Sequence, residues 1–275
     1  ANLTAFGTDG FSLAGGLASY DANFNGNSNT YASWNWRANG STTSSNGEGA
    51  TSSTVQAGPG GVFSIVTYTG FSGASGTSTV GHGLSTAPSM IIHKSRTRSS
   101  GWWTAFPGLL TSQSYFLNIE NHNTQTDLSS YGTISAPTSS VFTINGVDGI
   151  GGESANYVAY CFTNIEGYCK VGSYYGNAND DGPFVYTGFK PAFFMCKPIV
   201  TGNWRIQDNK RAPFNVADKT LFPNHSNAEE SNDSQYIDIL SNGIKMRAND
   251  SNYNQATTFV YLAFAENPFK YATAR

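Results

Sequence analysis

Short runs of alternating apolar and polar residues follow one another along the chain, and similar runs occur twice. Residues 63–70 (FSIVTYTG) resemble residues 169–176 (CKVGSYYG), and residues 157–162 (YVAYCF) resemble residues 259–264 (FVYLAF). Alternation with a period of two is typical of β-strands whose two faces have different environments. The recurrence at about 100 residues predicts tandem β-sandwiches, since solenoid repeats are only about 20–50 residues long.

The landmarks between these strands recur in the same order. The apolar run Pro88–Lys94 matches the run Pro191–Lys197. Trp204 aligns with Trp103, because each follows a glycine by two positions. No window of ten or more residues shows the 3.6-residue period of an amphipathic helix. The pattern therefore predicts an all-β chain of tandem antiparallel β-sandwich domains, jelly-roll or Ig-like, with very little helix.

Four segments follow from this pattern, in chain order: the closing β-hairpin of a partial unit at 1–36, a Gly/Ser/Thr linker or long loop at 37–62, and β-sandwich repeats at 63–168 and 169–275. In the predicted hairpin, Phe11–Leu13 pairs with Tyr31–Trp36. The chain starts at Ala1 rather than Met, so we expect a processed or trimmed piece of a longer protein.

Composition narrows the classes of function. Charged residues are 12% of the chain and the formal net charge is −3, so no basic field exists to hold nucleic acid. No apolar run approaches the ~20 residues of a membrane span, and we expect no membrane insertion. The Cys count is 3, an odd number that predicts buried free thiols rather than a disulfide framework.

Aromatic residues give the most useful indication of a binding site. Trp102 and Trp103 occupy adjacent strand positions, so their side chains should point to opposite faces. We expect Trp103 in the core and Trp102 nearer the surface. An exposed ring beside Asn, Gln and Asp is a common arrangement for sugar binding. Trp102, Tyr174 and Tyr175 are therefore candidate glycan contacts, with an ordinary rim or subunit contact as the alternative for Trp102.

Other chemistry finds little support. The four histidines, His82, His93, His122 and His225, form no recognised triad or zinc spacing. Candidate glycosidase acids are not paired by the sequence; they are Glu120, Asp127, Asp148, Glu153, Asp208, Glu229 and Glu230. Asn179–Gly182 and Asn249–Asn252 carry oxygen ligands for calcium but lack an EF-hand loop and are more typical of turns. The stretch Arg205–Arg211 is expected to form a surface ion-pair network. We expect no enzyme and no cofactor, with calcium as the open alternative.

Several whole strings resemble a known family. They include DGPFVYTGF at 181–189 and FAENPFKYA at 264–272, with FSIVTYTG at 63–70 as a weaker match. With them in view, essentially the whole chain resembles the tandem C-terminal module of phage tail-fibre and virion surface proteins. This resemblance implies a location in the virion, assembly as a homotrimer with other virion structural proteins, and a role near host recognition. It carries over no catalytic or binding residue.

Three functions are compatible with these features. The first is a non-enzymatic virion appendage that attaches to host-surface glycans through exposed loops, with weak sites strengthened by multiple copies. The second is a purely structural fibre, capsid-decoration or adaptor component. The third is a tailspike-like enzyme that degrades polysaccharide, for which the sequence shows no paired carboxylates.

Overall fold

Strands are the main regular element of this protein. The computed structural model describes residues 3–7, 10–13, 26–36, 38, 42–231 and 235–267. The described residues include two 3-10 turns, Pro59–Gly61 and Ser129–Tyr131, and no α-helix. The prediction of an all-β sandwich fold with very little helix is confirmed. Contacts divide the chain into two compact units, Ala1–Arg37 and Ala38–Arg275.

The first unit contains a short antiparallel ribbon made of strands β1 (Leu3–Phe6) and β2 (Phe11–Leu13). Gly7 N donates to Gly10 O at 2.7 Å and closes the turn between the strands. The expected pairing of Phe11–Leu13 with Tyr31–Trp36 was wrong, because residues 31–36 form no strand. A local turn costs less loop-closure entropy than the much longer connection to Tyr31.

The second unit begins with a sandwich that we call repeat 1, residues 44–162. A large sheet in the order β10-β9-β8-β7-β12-β5-β4-β3 faces the pair β11-β6. The core between them includes Val66 and Ala159 from the large sheet and Val80 and Ile144 from the pair. The strands are β3 (Ser44–Asn46), β4 (Ser53–Ala57), β5 (Phe63–Thr69), β6 (Thr77–Gly81), β7 (Met90–Ser95), β8 (Trp103–Ala105), β9 (Tyr115–Asn118), β10 (Thr126–Asp127), β11 (Val141–Asn145) and β12 (Asn156–Phe162).

Residues 44–57 belong to the large sheet of repeat 1 and not to a linker, so the expectation for residues 37–62 was wrong over this stretch. β3 pairs with β4, and β4 pairs with β5 in an antiparallel ladder. Val55 is buried in the core of repeat 1. The segment carries one large apolar residue among Ser, Thr and Gly, so its strand forms because β5 offers a ladder and not because of its own pattern.

The second sandwich, repeat 2, spans residues 169–265. Its large sheet has the order β13-β21-β15-β16, and the sheet β14-β20-β19 faces it across a second core. The strands are β13 (Cys169–Tyr175), β14 (Phe184–Tyr186), β15 (Pro191–Pro198), β16 (Arg205–Asp208), β17 (Lys219–Thr220), β18 (Glu230–Ser231), β19 (Ile237–Leu240), β20 (Gly243–Met246) and β21 (Thr258–Ala265).

The two repeats share one strand order. In repeat 1, β12 lies between β5 and β7 while β11 pairs with β6, and in repeat 2, β21 lies between β13 and β15 while β20 pairs with β14. In both repeats the last strand is central and pairs antiparallel with a strand on each side. The same pattern of apolar alternation has therefore produced the same local topology twice.

The strand registers correct the alignment of the tryptophans. His93 pairs with Trp103 in repeat 1, and the corresponding Cys196 pairs with Arg205 in repeat 2. Trp103 therefore corresponds to Arg205, and Trp204 corresponds to Trp102. The expected alignment of Trp204 with Trp103 was wrong by one residue, because the connection from β15 to β16 is one residue shorter than that from β7 to β8.

The repeats pack against each other through the large-sheet faces that point away from their own cores. Trp204 is fully buried there, and its Nε1 donates to Asn118 O at 2.8 Å. Its ring stacks on Phe106 with centroids 6.3 Å apart. Phe162 and Phe264 meet edge to face at 6.0 Å. The second unit therefore has a third apolar layer, between the repeats.

Backbone hydrogen bonds add to this junction. Gly202 N donates to His122 O at 2.8 Å, and Gln125 N donates to Ile199 O at 2.8 Å. Both bonds join loops of repeat 1 to the turn between β15 and β16. Backbone groups that pair across an interface help to fix its geometry, because these bonds are directional.

Candidate functional site

The three aromatic residues predicted to contact glycan lie in different environments. Tyr174 is buried in the core of repeat 2, and its Oη donates to Tyr253 O at 2.8 Å. This burial contradicts the expected role of Tyr174 as a ligand contact. Successive strand residues point to opposite faces, so Tyr174 and Tyr175 cannot both be exposed on one face.

Trp102 is half-buried on the outer face of repeat 1. Its ring stacks on Tyr160 with centroids 6.3 Å apart and planes 17° apart. Lys94 Nζ lies 5.6 Å from the centroid of the Trp102 ring. In the part of the chain that the structure describes, no ring contact or hydrogen bond joins Trp102 to Tyr175, and the two belong to different repeats. Trp102 and Tyr175 are therefore not brought into one site.

Tyr175 is the predicted residue that the structure leaves accessible, with 63% of its surface exposed. It stands at the end of β13, where its Oη donates to Ala256 O at 3.1 Å. That bond fixes the orientation of the ring. The loops 176–183 and 247–257 adjoin it, and we call Tyr175 and these two loops the tip.

Asn254 holds the two tip loops together. It is fully buried, and its Nδ2 donates to Asn179 O at 2.6 Å. Its Oδ1 accepts a bond from Asn177 N at 2.8 Å. Ala178 N donates to Asn254 O at 2.7 Å. A single buried amide therefore joins both loops by several bonds, which makes the tip a preorganised surface.

The outer surface of the tip presents polar groups in the two loops that adjoin Tyr175. Asp181 pairs with Lys245 at 2.6 Å, and this hydrogen bond lowers the pKa of the Asp181 carboxyl. Carboxylates and amides beside a fixed aromatic ring can bond sugar hydroxyls while the ring contacts sugar C–H groups. The exposed polar residues of the tip include Asn177, Asn179, Asp180, Asp181 and Asn249.

The candidate catalytic histidines are mostly structural. His93 is buried, its Nδ1 lies 3.2 Å from Tyr68 Oη, and desolvation lowers its pKa to about 3. His82 is also buried; its Nε2 lies 3.1 Å from Thr138 O, and burial lowers its pKa. Neither imidazole is placed to act on a bound molecule.

Two of the candidate acids lie in ion pairs, and the cysteines lie in the core. Asp148 and Glu153 both bind Arg98, at 3.3 and 2.6 Å. The three cysteines, Cys161, Cys169 and Cys196, are buried, and burial raises the pKa of each thiol to about 12. In the described ranges, no three His, Cys, Asp or Glu side chains form a group that could hold a metal. Within the same ranges, no helix has the length and apolar character needed to cross a membrane.

The Arg205–Arg211 stretch differs from the expected surface network. Arg205 is buried, with its guanidinium 4.3 Å from the Phe222 ring centroid and its Nη1 donating to Gln235 Oε1 at 2.8 Å. Asp208 is buried as well and binds Arg211 at 2.7 Å. These charges therefore order the interior of repeat 2. Composition could not show this, because nothing in the stretch marks it as the inward-facing strand β16.

Two exposed aromatic residues were missed by the sequence reasoning. Phe184 and Tyr186 are 45% and 58% exposed on either side of the buried Val185. Lys170 Nζ lies 5.2 Å from the centroid of the Tyr186 ring. Lys170 and Tyr186 border a hollow of about 320 Å³, which residues 164–167 of the connection between the repeats also line. The alternation of Phe, Val and Tyr between Gly182 and Gly188 was the signal available in the sequence.

Comparison with known families gives one match. Residues 1–268 match the model of the family described as Domain of unknown function (DUF7483). No curated protein and no solved structure matches the chain. The match therefore covers almost the entire chain, and its description assigns no activity.

Proposed function

Because the chain belongs to the family described as Domain of unknown function (DUF7483), we propose its function from its own surface: non-enzymatic attachment of a virion appendage to host-surface glycans through the tip of repeat 2. The virion setting, the homotrimer and the other virion partners are proposed from the sequence resemblance. The glycan is proposed from the geometry of the tip.

The observation that carries the proposal is the exposed ring of Tyr175, fixed by its bond to Ala256 O. A ring that is already oriented loses little conformational entropy when a sugar stacks on it. Asn254 fixes the surrounding loops in the same way, through its buried bonds to both. A site of this kind is shallow and weak alone, so repeated copies would supply the strength of attachment.

The test is a glycan array and a whole-cell binding assay with the assembled protein and two variants. Tyr175→Ala should reduce binding by about 1–3 kcal/mol per site, the range measured for truncated contact residues. Tyr175→Phe keeps the ring but removes its bond to Ala256 O, so binding should fall by less than in Tyr175→Ala. Tyr131→Ala removes a comparably exposed aromatic residue from repeat 1 and serves as the matched control. Binding that is absent, or that is equally affected by the variants at Tyr175 and Tyr131, would refute the proposal.

A further inference from the structure

One flank of the sandwich is closed in repeat 1. It lies between the strands β5 and β6. Thr51 N donates to Thr79 O at 2.9 Å on the β6 side, and β4 forms its ladder with β5 on the other side. Ser53 Oγ donates to Gly81 O at 2.7 Å. Residues 46–57 therefore cross from one sheet to the other and cover both edges.

The corresponding flank of repeat 2 has no such cover. β13 and β14 correspond to β5 and β6, and each is an end strand of its sheet in the described structure. The connection 163–168 contains no strand, and no ladder joins it to β14. It caps only the start of β13, where Ile165 bridges Cys169 and Asn164 Oδ1 accepts from Val171 N at 2.6 Å. We call the uncovered edges of β13 and β14 the open flank.

The register shows which backbone groups of the open flank are unpaired. Val171 bonds Asn164 through its N–H and its carbonyl, so its backbone points away from β21. Backbone direction alternates along an antiparallel strand, and Ser173 therefore points outward too. Ser173 is exposed, and within the described residues its N–H has no hydrogen-bond partner. The ladders place Tyr174 of repeat 2 at the position of Tyr68 in repeat 1. The residue before each is Ser173 in repeat 2 and Thr67 in repeat 1, so Thr67 is the counterpart of Ser173. Thr67 pairs with Thr54 of β4.

The side chains beside the open flank resemble those that contact β4 in repeat 1. In repeat 1, Val55 packs against Gly83, where a Cβ on the glycine would lie 2.5 Å from Val55 Cγ1. Gly188 corresponds to Gly83, and both have positive φ, at 86° and 68°. Gly188 and the exposed Tyr186 line the hollow of about 320 Å³. A Cβ on Gly188 would lie 3.6 Å from Tyr186 Oη, so the exposed Tyr186 ring borders the place that Val55 fills in repeat 1. The hollow beside this ring has room for a small aliphatic side chain.

We propose that the open flank of repeat 2 binds an extended segment of a partner polypeptide by strand addition, in the position that residues 46–57 occupy in repeat 1. The partner segment is an uncharged stretch of about five residues that carries one small aliphatic side chain. Its backbone pairs with Ser173, and its aliphatic side chain enters the hollow beside Gly188. Asn164 occupies the neighbouring pairing position at Val171 and limits how far the added strand extends. This inference does not depend on the proposed glycan function.

The experiment uses the full chain and a labelled synthetic peptide of residues Ser44–Ala57 as probe, followed by fluorescence anisotropy. Ser173→Pro removes one outward N–H from an edge strand, a position where Pro is tolerated. It should weaken peptide binding by about tenfold, the effect of losing one hydrogen bond in a buried ladder. Asn164→Ala frees the pairing position at Val171 and should strengthen binding. A peptide carrying Thr54→Pro serves as the control and should bind weakly to every variant.

Circular dichroism spectra and melting curves of both variants show whether each is folded, so that a loss of binding is not confused with a loss of structure. The proposal is supported when Ser173→Pro weakens binding and Asn164→Ala strengthens it in folded protein. Absence of peptide binding to both the unmodified chain and the Asn164→Ala variant would overturn it, as would binding that neither substitution changes. Self-association of the chain alone that Ser173→Pro abolishes would assign the open flank to a second copy, and would overturn the assignment to a foreign strand.

Discussion

Trp204 joins the two repeats, and its replacement by Phe should weaken the whole second unit. Phe keeps the contact with the Phe106 ring but cannot donate to Asn118 O, which then retains, among the described residues, a long contact from Asn121 N at 3.5 Å. Losing one buried hydrogen bond costs about 1–3 kcal/mol. The smaller ring leaves a cavity, which costs roughly 24 cal/mol per Å³. We therefore expect a loss of about 2–4 kcal/mol in the free energy of unfolding.

The matched control for this substitution is Trp102→Phe. Trp102 occupies the corresponding place in repeat 1 but is half-buried and stacks on Tyr160. It should lose less than about 1 kcal/mol, as expected for a partly exposed site. Urea unfolding followed by far-UV circular dichroism measures both values, and the melting temperature of Trp204→Phe should fall by about 5–10 °C. Equal losses for the two variants, or no loss for Trp204→Phe, would refute the assignment of Trp204 to the junction.

Three further predictions concern buried polar groups. Burial lowers the pKa of His93 in the folded state from the ordinary 6.5 to about 3, so the unfolded state binds the proton first as the pH falls. Stability should therefore fall as the pH drops from 6.5 towards 3, and His93→Leu should flatten that slope in urea titrations. Burial lowers the pKa of Lys197 to about 8. Below pH 8 the buried charged amine lowers the free energy of unfolding, and this loss should disappear as the pH rises from 8 to about 10.5. Lys197→Met should remove this pH dependence and stabilise the fold at pH 7 by about 1–3 kcal/mol in the same assay, whereas an unchanged pH profile would contradict it. Asn254→Ala should lower the free energy of unfolding by about 1–3 kcal/mol and abolish glycan binding. Amide exchange should become faster only in loops 176–183 and 247–257. Exchange that stays slow in these loops would contradict the role of Asn254 in the tip.

The strand pattern could be predicted wherever apolar alternation was strong. The stretch Phe63–Thr69 shows this, since its alternation gave both its strand and the recurrence at Cys169–Tyr175. Ser53–Ala57 could not be predicted in this way, because its strand depends on a ladder offered by β5 and on one buried Val. Short strands that add to an existing edge have little pattern of their own.

The candidate site was predicted only in part, because exposure depends on which face becomes the core. The sequence identified Tyr174 and Tyr175 as a pair, and alternation allows only one of them to be exposed on a given face. Phe184 and Tyr186 lie on the outer side of a three-residue strand, and their alternation with Val185 does not by itself show which of the two faces is exposed. The bonds of Asn254 join loops far apart in sequence, and no local pattern specifies such a contact.

The most direct test of the account is amide hydrogen exchange at Thr67 and Ser173, measured by NMR on the full chain. These two residues occupy the same position in the two repeats but have different neighbouring strands. Thr67 faces the ladder of β4, whereas Ser173 faces the open flank. We predict slow exchange for Thr67 N–H and fast exchange for Ser173 N–H. Equal exchange at the two positions would contradict either the shared register or the open flank.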